Sequence, residues 1–180
     1  MIHLYSGDGR GKTSIAIGTA VRMAGAGKKV IFAQFMKGNE SSEINVLKGI
    51  SGVEICRVPE TFPFYKQMSG EEKEQITKYH NEILMYVLKQ IECRRKMEKE
   101  TKEPDLLIVL DEITYPVRWG LVDGTLVTRL LLNLPENVEL VMTGRNPSDE
   151  MVNASDYWSE LSMKRHPYEK GILSRRGVEF

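Results

Sequence analysis

Two hydrophobic rhythms alternate along this chain, one with the period of a strand and one with the period of a helix. Ile2-His3-Leu4-Tyr5 reads as a short strand, and Ile15 to Met23 carries apolar residues at helical spacing until Gly25-Ala26-Gly27 stops it. Lys28-Lys29 precede the nearly continuous apolar run Val30-Ile31-Phe32-Ala33-Gln34-Phe35, which predicts a strand buried on both faces. Ser42 to Ile50 predicts a short helix ended near Gly52, and Val53 to Val58 alternates like a strand before Pro59. A long helix is expected from Ser69, with Gly70 and the acidic Glu71-Glu72 at its positive end. Ile76, His80, Ile83, Leu84, Val87 and Ile91 share one of its faces. Its tail, Arg94 to Lys102, is almost all charged and reads as a solvated helix end closed by Pro104.

Leu106-Leu107-Ile108-Val109-Leu110 is too short for a helix and is bounded by Pro104 and Asp111, so it predicts a central parallel strand. A helix over Leu126 to Leu134, stopped by Pro135, and a strand over Val138 to Met142 follow. Pro147 to Ala154 predicts a helix with proline at a tolerated early position, and Tyr157 to Met163 a last strand before an irregular tail. Strands and helices alternate throughout, without an internal repeat or a Gly/Ser linker. The expected architecture is α/β, a mostly parallel sheet with helices on both faces. At 180 residues the chain suits one domain, 1–180, better than two.

Chemistry enters at Ser6-Gly7-Asp8-Gly9-Arg10-Gly11-Lys12-Thr13-Ser14, which joins the first strand to the first helix. Strand, glycine-rich turn, Lys-Thr and helix are the context of a phosphate-binding P-loop. Glycines let successive backbone N–H groups turn inward on one anion, and the helix N-terminus adds unpaired donors. Lys12 would neutralise phosphate oxygens, and the Thr13 hydroxyl would ligate Mg²⁺. One position departs from G-x-x-x-x-G-K-[ST]: Ser6 stands where the pattern has glycine. The central strand ends in Asp111-Glu112, the arrangement of a Walker B segment. Ligands of open parallel sheets bind beyond the carboxyl ends of the strands, so these carboxylates and the P-loop are expected in one crevice with Mg²⁺ between them. Thr143-Gly144-Arg145 also ends a strand, leaving Arg145 either a phosphate contact or a surface arginine.

Composition narrows the partners. Lys+Arg and Asp+Glu both number 25, so no bulk field draws nucleic acid or acidic membranes. No apolar run approaches a membrane span, and a core strand at the start leaves no room for a signal peptide, which points to the cytoplasm. Cys56 and Cys93 are isolated and expected to be buried or half-buried thiols; His3, His80 and His166 are scattered, and His3 on a strand and His80 on a helix read as packing rather than metal ligands.

Several motifs go further than a generic ATPase. Gly7 to Thr13, Gln34-Phe35-Met36-Lys37-Gly38, Val109 to Tyr115 and Thr143-Gly144-Arg145 together resemble the P-loop-type ATP:corrinoid adenosyltransferases of the cobalamin pathway. The resemblance continues through Asp156, Ser159-Glu160-Leu161 and the ending Arg176-Gly177-Val178-Glu179-Phe180, and that family also carries Ser or Thr at the position of Ser6. It implies a RecA-like P-loop fold, usually dimeric, binding MgATP so that C5′ of the ribose faces a corrinoid. Co(I), made by a reductase, would attack that carbon and expel tripolyphosphate, with no need for a protein base. On this resemblance Lys12 and the Gly7–Lys12 amides hold the triphosphate, and Thr13 and Glu112 attend Mg²⁺ with Asp111 as second candidate. Arg22, Gln34, Lys37 and Arg145 fall on the nucleotide side.

Family members commonly carry an N-terminal extension that helps cover the site, whereas this sequence begins at the first strand. They also have a corrin-facing aromatic pair that includes Trp. Here that stretch reads Thr61-Phe62-Pro63-Phe64-Tyr65, so Phe62 and Phe64 either press on the corrin or pack the loop against the long helix. Two other classes stay open: a P-loop ATPase or small-molecule kinase, and a non-catalytic nucleotide or corrinoid carrier.

Overall fold

The computed structural model describes residues 1–37, 41–96 and 103–178. Gly38, residues 97–102 of the charged tail and the closing Glu179-Phe180 lie outside the described residues. Along the chain run β1 (Ile2–Ser6), α1 (Lys12–Gly25), β2 (Lys29–Gln34), α2 (Ser42–Leu47), β3 (Val53–Arg57) and α3 (Gly70–Arg95). Then follow β4 (Leu106–Asp111), α4 (Thr114–Trp119), α5 (Gly124–Leu132), β5 (Val138–Thr143), α6 (Asp149–Ala154) and β6 (Tyr157–Glu160).

The six strands among the described residues all pair in parallel, in the order β3-β2-β4-β5-β1-β6. Side chains alternate between the two faces of a strand, and here both faces are covered. Val30, Phe32, Leu107, Val109 and Val141 pack with Ala16 and Ala20 of α1 and Ile44 and Leu47 of α2. Ile31, Ala33, Ile108, Leu110, Leu140 and Met142 pack on the other face with residues of α3, α5 and α6. Every residue of β4 is buried, which accounts for its unbroken apolar run. Because the strands are parallel, the carboxyl ends of β1, β2, β4 and β5 all open on the same edge.

The long helix starts as expected. Ser69 Oγ accepts from the Glu72 amide at 3.1 Å while the Glu72 carboxylate accepts from the Ser69 amide at 2.7 Å, a reciprocal cap. The expected stripe is buried, His80 included. A carbonyl only accepts, so His80 Nδ1–H donates to Leu121 O at 3.0 Å and Nε2 is left a bare buried acceptor.

Some local expectations needed correction. α4 was not foreseen: it has only six residues, with Pro116 inside its first turn, where proline breaks no helical hydrogen bond. α5 begins earlier than expected because Asp123 caps it, its Oδ1 accepting from the Thr125 amide at 2.8 Å. Pro147 precedes the cap Ser148 and is not helical. β6 ends at Glu160 rather than Met163, since Leu161 turns onto the P-loop. Cys93 is exposed, not buried. No helix among the described residues is long and apolar enough to cross a membrane.

The buried histidine gives a pH dependence with a definite sign. Burial lowers the His80 pKa to about 4, against the pull of the Leu121 carbonyl. The unfolded chain therefore binds the proton more readily, and the contribution of His80 to stability is lost as pH falls from about 6.5 to 4. At about 1.4 kcal/mol per pH unit, the loss approaches ~3 kcal/mol. Denaturant unfolding of wild type and His80→Leu across that range should show a shallower decline in the variant.

Candidate nucleotide and metal site

Gly11, at φ 116, turns the chain from the P-loop into α1, whose first residue is Lys12. Lys12 is 8% exposed, and its ammonium donates to the carbonyls of Gly7 and Gly9, both at 2.7 Å. Burial lowers its pKa, with the charge of Arg145 adding to that and Glu112 opposing it. The loop thus holds its cation by its own backbone.

Gly7 and Gly9 have a second reason to be glycine. A Cβ on either would sit 2.4 or 2.7 Å from the carbonyl oxygen of Leu161. The segment after β6 lies directly on the loop: Gly9 N donates to Leu161 O at 2.7 Å, Leu161 N to Ser6 O at 2.8 Å, and Met163 N to Asp8 Oδ1 at 3.0 Å. The Met163 amide holds the Asp8 pKa below its usual value. Ser6 is the last residue of β1, and its hydroxyl accepts from Trp158 Nε1 at 2.9 Å. Its side chain has a place to go and its φ is not positive, so glycine is not required there.

Asp111 ends β4 with no exposure. Its Oδ1 accepts from the hydroxyls of Thr13 at 2.9 Å and Thr143 at 2.7 Å; its Oδ2 accepts from Gln34 Nε2 at 3.1 Å and Lys37 Nζ at 3.0 Å. Burial works against the Lys37 charge, but Asp111 outweighs it and the Lys37 pKa is raised. Glu112 follows at φ 64, a conformation unusual for a residue with a side chain. Its Oε2 is buried without a partner among the described residues, and burial followed by the Asp111 charge raises its pKa.

A cavity of about 550 Å³ opens at this edge of the sheet. Of the residues expected at the site, Asp8, Gly9, Arg10, Gly11, Lys12, Thr13, Ser14, Lys37, Glu112 and Arg145 line it. Ser6, Gly7, Gln34 and Asp111 lie behind that lining. Arg22 is exposed in the last turn of α1, about 15 Å along the axis from Lys12 at 1.5 Å per residue, so the fold does not bring it to the cavity. Phe62 and Phe64 are outside the lining as well. Phe62 is half-buried edge-on to Tyr79 at 6.3 Å, while Phe64 is 84% exposed. Beside them Tyr65 stacks on Trp119 at 4.6 Å, and Tyr115 leans on the same indole.

The sequence gives no site role to Glu43, Gly177, Val178 or Thr143. Glu43, in the first turn of α2, accepts from Gln34 at 3.1 Å and pairs with Lys37 at 3.6 Å. Gly177 and Val178 line the cavity, and the Arg10 guanidinium donates to the Val178 carbonyl. Of Thr143-Gly144-Arg145, the sequence points only to Arg145, whereas the structure sets the Thr143 hydroxyl on Asp111 Oδ1 at 2.7 Å.

The family model described as ATP:corrinoid adenosyltransferase BtuR/CobO/CobP matches residues 1–180. The chain is 28% identical to the corrinoid adenosyltransferase of Escherichia coli K12 over 181 residues, covering 100% of this chain and 85% of that protein. It is 28% identical to the Pseudomonas aeruginosa corrinoid adenosyltransferase over 98% of this chain and 82% of that protein. Among solved structures, the EssC ATPases 2 and 3 of Geobacillus thermodenitrificans align with a TM-score of 0.53 at 14% identity, over 98% of this chain and 34% of that one. That likeness concerns the P-loop ATPase fold alone.

The two reasons for glycine can be separated from helix propensity. Gly9→Ala should destabilise the protein by about 1–3 kcal/mol, the usual cost of overpacking. Gly18→Ala, in the middle of α1 with nothing within 4 Å of the added carbon, should stabilise it by about 0.5–1 kcal/mol. Denaturant melts of the two variants check both signs.

Proposed function

The chain belongs to the ATP:corrinoid adenosyltransferase family, and from that premise we propose that it moves the 5′-deoxyadenosyl group of MgATP to Co(I) of a corrinoid. The electron pair of Co(I) forms a bond to C5′ as the C5′–O bond breaks, and tripolyphosphate leaves with the electrons of that bond. The observation that carries this reading is the charge layout of the cavity. Lys12 and Arg145 face the space lined by Glu112, whose unpartnered oxygen suits a metal-bound triphosphate held fixed while its ribose end reacts.

The donors fit Mg²⁺. Thr13 and Glu112 offer hard oxygens, and no group of three His, Cys, Asp or Glu among the described residues would cage a metal unaided. Phosphate and water would complete the shell, as Mg²⁺ prefers. When bound, Mg²⁺ neutralises charge on the leaving tripolyphosphate. Asp111, with both oxygens engaged by four donors, orients Thr13 and Lys37. Lys12, now on the loop carbonyls, transfers its donors to phosphate, while the P-loop amides and Arg145 fix the remaining oxygens.

The corrinoid, as second substrate, would lie against Phe64, whose exposure leaves a large apolar face open, with Phe62 packed beneath the loop. A single domain over 1–180, a homodimer, a reductase that supplies Co(I) and a cytoplasmic setting complete the reading. One observation favours a second reading, ATP hydrolysis: a carboxyl with a raised pKa in Glu112's position is suited to activating a water.

Product analysis separates the readings. With γ-labelled ATP, Mg²⁺ and chemically reduced cob(I)alamin under anaerobic conditions, label should emerge in tripolyphosphate and adenosyl carbon should become bonded to cobalt. Phosphate released without corrinoid would establish hydrolysis in its place, and binding of ATP with neither product would indicate a carrier. Lys12→Ala and Glu112→Gln should each lower turnover by about 10²-fold or more, the usual scale for losing a charge-stabilising group. Excess Mg²⁺ should restore only the second, and only in part.

A further inference from the structure

Glu112 leaves β4 with its backbone in the left-handed region, at φ 64, a conformation that is strained for a residue with a side chain, and it lines the cavity from there. One side chain spans that turn. Thr143, fully buried at the end of β5, accepts from the Glu112 amide at 2.8 Å and donates its own proton to Asp111 Oδ1 at 2.7 Å. The same Oδ1 accepts from Thr13 at 2.9 Å. An unbroken line of hydrogen bonds therefore runs from the P-loop hydroxyl through Asp111 and Thr143 to the backbone of Glu112.

Thr143 is itself fixed in place. A Cβ on Gly144 would fall 1.9 Å from Thr114 Oγ1, and that hydroxyl donates to the Arg145 carbonyl at 2.9 Å. β5 and the start of α4 are thus locked together immediately after the acidic pair. A hydroxyl is the only group of this size that both accepts and donates. Valine has the shape of threonine and does neither, so it would leave a buried amide and a buried carboxylate oxygen each one partner short.

We propose that Thr143 is a positioning residue for the metal-bound nucleotide, setting Glu112 at a fixed distance from Thr13 through its two hydrogen bonds. The inference rests on the reading of Glu112 as a metal-holding group. Thr143 itself touches neither nucleotide nor metal; it acts through Glu112. Partners of this kind behind a metal-holding group typically change metal affinity by about 10–100-fold when removed.

The test uses Mn²⁺ as the probe, with the free ion followed by electron paramagnetic resonance during titration of the full chain with ATP. Thr143→Val should weaken Mn²⁺ in the ATP complex by about 10-fold, and Thr143→Ser, which keeps the hydroxyl, should stay within about 3-fold of wild type. In a Glu112→Gln background Thr143→Val should add little, because the two substitutions act on one group. ATP affinity in EDTA should be the same in all of them, which a general loss of structure would not allow. If Thr143→Val fails to fold, Thr143→Ala removes the same hydroxyl without setting a methyl against Asp111, and carries the same expectations. Wild-type Mn²⁺ affinity in the hydroxyl-free variant, or an equal loss in the Glu112→Gln background, overturns the proposal. Unchanged affinity in Glu112→Gln alone overturns the metal reading itself.

Discussion

Asp111 has no exposed surface, and its two oxygens take hydrogen bonds from four side chains on three stretches of the chain. Thr13 comes from the start of α1, Gln34 from the end of β2, Lys37 from the loop beyond it, and Thr143 from the end of β5. Removing a carboxylate from water costs several kcal/mol unless its lone pairs are met, so this group sits here only if all three stretches arrive together. The parallel sheet makes that arrival possible. β4 lies between β2 and β5, and their carboxyl ends carry the required donors to the same edge. The P-loop is fastened to the Walker B strand by the same carboxylate.

The P-loop is held from behind as well. Leu161 and Met163 lie on its outer side with hydrogen bonds to Gly9, Ser6 and Asp8, so the loop is clamped between α1 and the segment that leaves β6. Glycine in this loop serves two purposes at once. It allows amides to converge on an anion, and at positions 7 and 9 it makes room for another stretch of backbone.

Much of this was legible in the residues. The buried run Leu106–Leu110, the stripe on α3 and its Ser69 cap, and the strand–turn–helix around Gly11-Lys12-Thr13 each carry a local signal strong enough to survive tertiary context. α4 was hidden because two turns with a proline have no measurable period. The family resemblance implies a place for Arg22 on the nucleotide side, and helix geometry puts it elsewhere. Thr143 and Leu161 were invisible for a different reason. Their work is done by a hydroxyl and a peptide group on partners 31 and more positions away, and no spacing rule in one sequence encodes such contacts. The division between Asp111 and Glu112 was equally out of reach, since two adjacent carboxyls look alike until their partners are counted.

The two neighbours divide plainly: Asp111 has both oxygens engaged by four donors, while Glu112 keeps a buried oxygen without a partner among the described residues. The most direct measurement is the unfolding free energy of Asp111→Asn beside Glu112→Gln in ligand-free protein at neutral pH. An amide at 111 would turn its NH₂ toward two donors, Gln34 and Lys37, or toward two hydroxyls, and the variant should lose about 3 kcal/mol or more. Burial raises the Glu112 pKa, so ionisation there opposes folding, and Glu112→Gln should be as stable as wild type or more so. Equal destabilisation by both substitutions, or none by Asp111→Asn, would contradict the account.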